Sequence, residues 1–212
     1  MSKTMFKTTL KIAFLLSATA ALVVGGAIQA QATEEAKYNL VLQEGDFEVR
    51  DYAPSVQAEV SVEGLREEAG NKAFQALFQY ISGANRSRQK IAMTAPVGQA
   101  QKIAMTAPVG LTAGSTGWVV SFMLPSEFGP DTAPEPTNAK VSLRALPARR
   151  VASVRYAGGD DEATYQKHFQ ALEAWILKRQ FKTTGEWVWA RYNAPFTPPF
   201  WRRNEILMTL SE

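Results

Sequence analysis

The chain has no cysteine and a single histidine, His168, among 212 residues. The first absence excludes disulfides, thiolate metal sites and a lipid-anchored cysteine. The second leaves no bis-histidine iron site and gives a Ser-His-Asp triad only His168 to draw on, with no local context for one. There is no G-x-S-x-G, no P-loop and no H-E-x-x-H. Carboxylates are plentiful, but none stands out as a catalytic pair. A charge surplus is also missing. The net charge of +3 comes from Lys3, Lys7 and Lys11, which precede the first acidic residue, Glu34. The rest of the chain carries 20 basic and 20 acidic residues, so the basic isoelectric point is no argument for nucleic acid.

Those three lysines are followed by an apolar stretch from Ile12 to Ile28 and by Ala30-Gln31-Ala32. The order charge, apolar run, small residues is that of a secretory signal peptide. At 17 residues the run sits at the short limit for a bilayer span, and Ser17, Thr19, Gly25 and Gly26 weaken it. We therefore expect a signal at 1–32, cleaved to leave 33–212 as one domain with no stable membrane anchor, in the periplasm or secreted. Without disulfides such a domain depends on its core, and 46% hydrophobic residues permit one.

Alternation predicts strands at Tyr38–Leu42, Phe47–Arg50 and Val56–Val62, punctuated by Ala53-Pro54. A helix is expected from Leu65 to Ile81. Its apolar residues, Leu65, Ala69, Ala73, Phe74, Leu77, Phe78 and Ile81, cover more of the circumference than a surface helix needs, so it is either deeply buried or covered on two sides. A tandem repeat follows: Gln89–Ala100 and Gln101–Thr112 share their first ten residues, QKIAMTAPVG. In each copy Ile91, Met93, Ala95 and Val97, or Ile103, Met105, Ala107 and Val109, alternate with other residues, as in a strand ending at a proline. Two copies suggest a hairpin or flap. Trp118–Leu124 reads as a strand, Pro125–Thr137 as a loop, Val141–Leu146 and Val151–Tyr156 as a strand pair. A second helix is expected over Asp161–Phe181, with Asp160 or Asp161 as N-cap and a stripe of Tyr165, Phe169, Leu172 and Ile176. Trp187–Tyr192 and Glu205–Leu210 close the pattern. Phe47–Leu124 and Val141–Leu210 thus repeat one order of strand, strand, helix, strand, loop, strand. Such a repeat is expected to form an α+β protein, two antiparallel sheets with one helix each, joined as a distorted barrel with a ligand cleft between the halves.

Several blocks together resemble the SOUL heme-binding proteins in their bacterial exported form. They are Tyr52-Ala53-Pro54, GANRSRQK from Gly83 to Lys90, the two IAMTAPV blocks, Trp118–Ser126, LPARRVA from Leu146 to Ala152, and WARYNAPFTPPF from Trp189 to Phe200 followed by Arg202-Arg203-Asn204-Glu205. The resemblance implies a twofold pseudo-symmetric, distorted antiparallel eight-stranded β-barrel flanked by two α-helices, and binding of heme or related tetrapyrroles. Some members of that family use an axial histidine near the start of the domain. This chain has none there and looks closer to members that hold porphyrin through apolar and basic contacts.

Each candidate contact has a plainer reading beside it. His168 could ligate iron, but a boundary residue packed by Trp175 is the simpler account. Met93 and Met105 could offer thioethers, but their alternation places them in the core. Arg86, Arg88, Lys90 and Lys102 could pair with propionates, or form a solvated basic loop. Arg202 and Arg203 beside Phe200-Trp201 form a second cluster that suits a flat macrocycle, and equally suits ordinary packing. The expected heme contacts are therefore Phe74, Leu77, Phe78 and Ile81 on the first helix, Arg86, Arg88 and Lys90 after it, and His168, with no metal site as such. The expected function is non-catalytic carriage or buffering of heme. The rivals are a tetrapyrrole-modifying or demetallating enzyme, and an envelope protein that binds another amphipathic ligand or a protein. No specific protein partner is indicated.

Overall fold

A computed structural model describes residues 33–88 and 100–211. The expected signal segment, Lys90 and the first repeat copy with Met93 lie outside the described residues. Nine strands form one antiparallel sheet: β1 (Tyr38–Glu44), β2 (Phe47–Tyr52), β3 (Ser55–Val62), β4 (Val109–Ala113), β5 (Trp118–Met123), β6 (Val141–Leu146), β7 (Arg149–Tyr156), β8 (Thr183–Arg191) and β9 (Asn204–Leu210). Two helices, α1 (Arg66–Ile81) and α2 (Glu162–Lys178), stand between β3 and β4 and between β7 and β8. Two-residue strands pair Glu34–Glu35 with Thr106–Ala107, and Asn85–Arg86 with Glu135–Pro136.

The twofold repeat is present. β2, β3, α1, β4 and β5 correspond in order to β6, β7, α2, β8 and β9, and β1 is an addition. In space the sheet runs β6-β3-β5-β4-β8-β9-β7-β2-β1. The halves meet where Val109, Gly110 and Leu111 of β4 pair with Arg191, Ala190 and Trp189 of β8. Each half lends its first strand to the other. β2 pairs with β7, and β6 pairs with β3.

Connectivity forces this sheet to roll. Only Ala53-Pro54 separates β2 from β3, so their facing ends lie within about 11 Å. The two strands are six places apart in the sheet, about 29 Å if it were flat. Pro147-Ala148 imposes the same constraint between β6 and β7. The roll is nevertheless open, since β6 and β1 are edges without a further partner among the described strands. The expected barrel is therefore a sheet rolled round without hydrogen-bonded closure.

The helices cover one face. α1 packs on β3, β5 and β6, and α2 on β7 and β9. Between helices and sheet lies the core, with Ala58, Val60, Ala73, Leu77, Leu111, Val120, Leu172, Trp189 and Ile206 each at most 3% exposed. Asp161 is the N-cap of α2, accepting from the Thr164 amide at 2.9 Å. The second repeat copy departs from expectation. Gln101 donates its amide to Asn85 Oδ1, and Ile103 donates to the Ile81 carbonyl at the end of α1. These backbone groups are bound at the end of α1, Thr106–Ala107 pair with Glu34–Glu35 instead of extending β4, and β4 starts only after Pro108. Ile103 is buried, but Met105 is 44% exposed rather than in the core.

Candidate functional site

The residues expected on α1 divide between two faces. Leu77 and Ile81 are buried against the sheet, as are Ala69, Ala73 and Tyr80, and offer no surface to a ligand in this conformation. Phe74 and Phe78 lie on the outer flank, 43% and 47% exposed, stacked with centroids 5.7 Å apart. The edge of Phe74 meets Phe122. The helix is thus covered on one side only. Beyond it, Asn85 binds the carbonyls of Tyr80 and Gln101. Arg86 pairs through its backbone with Glu135 and its side chain is exposed. Arg88 is engaged: it donates to the Pro130 carbonyl at 3.1 Å and bridges to Glu135 at 3.2 Å. Neither of the two cavities described below is lined by Phe74, Phe78, Arg86 or Arg88.

A larger concavity, about 490 Å³, lies where β7 ends and β9 begins. Its wall includes His168 of α2, Arg155 and Tyr156 of β7, and Phe200, Trp201, Arg202 and Arg203. Local sequence explains the construction. After Tyr156 the chain turns at Gly158, whose φ of +145° suits a residue without Cβ. The Gly158 amide then donates to the Pro199 carbonyl. Pro199–Trp201 is one 3₁₀ turn. Arg202 clamps the preceding loop from inside, donating to the carbonyls of Thr197 and Pro195, both at 2.7 Å. Asn193 accepts from the Arg203 amide at 2.6 Å. The proline-rich loop is therefore tied down, while Phe200 and Trp201 stand 68% and 72% exposed in an edge-to-face pair 5.1 Å apart. Large rings held outward by an ordered loop are informative in a way that scattered surface apolar residues are not.

His168 does not pack on Trp175 as expected. Trp175 stacks on Phe47 and donates to Glu44 at 2.9 Å. His168 lies face to face with Tyr156 instead, centroids 4.1 Å apart and planes 10° apart. Partial burial, then the charge of Lys167, hold its pKa below the ordinary value, against the opposing pull of Asp46. The imidazole is thus neutral at pH 7 and has a lone pair to offer. Arg202 and Arg203 are committed, Arg203 to Glu205 and Glu35. Arg155 is exposed, and its guanidinium has no partner among the described residues. The concavity therefore joins two aromatic faces, a free cation and the only histidine.

Behind this wall sits a polar network that single-strand reading missed. Arg50 is 2% and Glu205 0% exposed. Arg50 binds Glu205 through two nitrogens, at 2.6 and 3.2 Å, and Glu48 through Nε at 2.6 Å. Tyr192 and Arg203 also donate to Glu205. Burial would raise the Glu205 pKa, but Arg50 and Arg203 outweigh it and hold the carboxyl below its usual range. This pair fixes β9 to β2 through the shared neighbour β7 and supports the start of β9 under the groove.

Among the described residues no cluster of His, Asp and Glu could hold a metal ion, and no helix is long and apolar enough to cross a membrane. A sequence model described as SOUL heme-binding protein matches residues 33–209. Heme-binding protein 2 of Mus musculus is 29% identical over 168 residues, covering 77% of this chain and 78% of that protein. Heme-binding protein 2 of Homo sapiens is 30% identical over 158 residues, covering 72% and 73%. Among solved structures, the EcmrR C-terminal domain superposes with a TM-score of 0.54 at 12% identity, covering 82% of this chain and 98% of that one. A hydrolase from Listeria innocua gives 0.50 at 13%, covering 85% and 94%. At such identities these two structures establish a shared fold and nothing about chemistry.

Proposed function

The chain belongs to the SOUL heme-binding protein family, and on that premise we propose that it binds heme or a related tetrapyrrole, without catalysing a reaction, in the groove beside His168. The observation that carries this is the joining of Phe200, Trp201, Arg155 and His168 around a space of about 490 Å³, within the 300–1,000 Å³ usual for ligand sites. The rings would cover the macrocycle face and Arg155 would pair with a propionate. Bound heme would supply an iron centre, and the neutral His168 ring is the group that could lend it a nitrogen. With one histidine in the chain, apolar and ionic contact carries most of the affinity in this reading. The Lys3–Ala32 pattern supports a site of action outside the cytoplasm, as a carrier or buffer. The balanced charge of the remainder supports a small-molecule partner rather than nucleic acid.

Titration with hemin and with metal-free protoporphyrin tests the reading. If about 100 Å² of each ring is covered, Phe200→Ala and Trp201→Ala each remove about 2.5 kcal/mol. That is a loss of roughly fiftyfold for either ligand. His168→Ala should weaken hemin by less than about tenfold, or 1.4 kcal/mol. If His168→Ala abolishes the hemin Soret shift while Trp201→Ala leaves it intact, iron ligation carries the affinity instead. If Phe74→Ala with Phe78→Ala, or Arg86→Ala with Arg88→Ala, weakens binding and the groove variants do not, the site is on α1. New absorption bands on incubation with metalloporphyrin would argue for an enzyme. For export, N-terminal sequencing of the exported form should start near Gln31 or Thr33; an intact terminus in the membrane fraction would mean an anchor.

A further inference from the structure

The face of the sheet opposite the helices encloses a second cavity, about 170 Å³, which the tetrapyrrole reading does not use. Every one of the strands β2 to β9 contributes to its wall. Most of that wall is apolar, including Val56, Phe128, Leu146, Val188 and Leu207. Four charged residues break the pattern: Glu34, Glu35, Lys37 and Arg149. Arg149 lines the cavity, and its guanidinium has neither an ion pair nor a hydrogen bond among the described residues. Its Nη1 is fully buried without a partner. The Tyr52 ring lies 5.6 Å from the guanidinium carbon, which offers a cation–π contact but no acceptor oxygen in the guanidinium plane. Burial pulls the Arg149 pKa below its ordinary value; Tyr52 and Glu186 oppose that pull and Arg144 adds to it.

Arg50 shows what this fold does with a structural arginine on the same face. Its donors go to Glu205, Glu48 and the Tyr52 hydroxyl. Arg149 is only half-buried, but its enclosed Nη1 has been left open, and an unanswered buried donor on a cation is expensive. A second donor is at hand: Tyr52 accepts from Arg50 at 3.1 Å and keeps its own hydroxyl proton to give. The two carboxylates at the rim do not fill the role. Glu34 accepts from the Ser126 amide and Glu35 pairs with Arg203.

We propose that this cavity binds a small organic acid, with a carboxylate received by Arg149 and an apolar body of about one six-membered ring against Val188 and Leu207. The size follows from volume. A protein cavity of about 150 Å³ holds benzene, so this one takes a ring of that class, with its carboxylate directed at the guanidinium. The apolar wall favours an organic acid over an inorganic anion, whose hydration it cannot replace.

Calorimetric titration of the purified chain with benzoate, benzamide and inorganic phosphate tests this, in the parent and in Arg149→Met, which keeps the apolar stem of the side chain. Benzoate should bind the parent more tightly than either benzamide or phosphate. Arg149→Met should weaken benzoate by about tenfold or more, the scale of a lost hydrogen bond to a charged group, and leave benzamide unchanged. The variant should melt no lower than the parent, because an unpaired buried charge has been removed. Hemin affinity should be the same in both. The proposal is overturned if benzoate does not bind, if phosphate or benzamide binds as well, or if the preference for benzoate survives Arg149→Met. A lower melting temperature in the variant would make Arg149 a structural residue. Lost hemin affinity would make it part of the tetrapyrrole site.

Discussion

Removing the Glu205 carboxylate should be among the most damaging single changes available to this protein. Glu205→Leu leaves Arg50, only 2% exposed, without its main counter-charge. Breaking one side of a buried ion pair costs about 3–5 kcal/mol. Glu48 remains on Arg50 Nε and Glu35 on Arg203, so the lower end, about 3 kcal/mol, is expected. In a chain of this size that lowers the melting temperature by roughly 6–12 °C. The pH dependence has a definite sign. The folded carboxyl titrates below its ordinary value of 4.5, so the unfolded chain takes up the proton first. The stabilisation is complete above the unfolded value and is lost as the pH falls below about 4.5 through the folded one. Denaturant unfolding of parent and variant at pH 7 and at pH 4 measures both effects, and the difference between them should shrink in acid. The double variant Arg50→Met with Glu205→Leu should be more stable than Glu205→Leu alone, since no charge is then stranded. A Glu205→Leu protein within about 1 kcal/mol of the parent at pH 7, the range of exposed pairs, would refute the argument that this pair is desolvated.

Two further perturbations follow from geometry already described. The NMR titration midpoint of His168 should fall below 6.5, the direction set by its partial burial; the same shift means that its contribution to stability is lost as the pH drops through that midpoint, and His168→Phe should keep the Tyr156 stack and abolish this component. Gly117→Ala should destabilise by about 1–3 kcal/mol in thermal or denaturant unfolding, because a Cβ there would stand 2.3 Å from the Val62 carbonyl oxygen, a backbone atom that cannot step aside.

The elements and their twofold order are legible in the sequence because both rest on local periods. α1 and Val141–Leu146 fall at or within one residue of the expected bounds. What pairs with what is less legible. Nothing in the alternation of Phe47–Tyr52 or Val141–Leu146 says that these strands cross to the opposite half. Alternation also misleads about charge. Arg50 and Glu205 occupy polar positions of alternating strands and so read as solvent-facing, yet the roll buries that face as well, and Arg149 is missed for the same reason. The aromatic-proline loop was readable as a possible platform because proline and ring content are local. Its relation to His168 was not, since Tyr156 and Arg155 are the end of an unremarkable strand until Gly158 folds the chain back onto Pro199.

The exchange of first strands bears on how the molecule comes apart. β6 has no main-sheet neighbour except β3, and β2 is held by β7 and β1. Neither half can complete its sheet from its own residues, so the halves do not qualify as independently folding pieces despite their matching order. Their pairings, such as Arg50 with Val151 and Leu143 with Ala58, close long stretches of chain at once. That is the high-contact-order regime, in which folding is slow and loss of one half's strands dismantles the other's. Unfolding is then expected as one cooperative event, and a ligand seated beside α2 stabilises residues on the far side of the pseudo-dyad as firmly as those it touches.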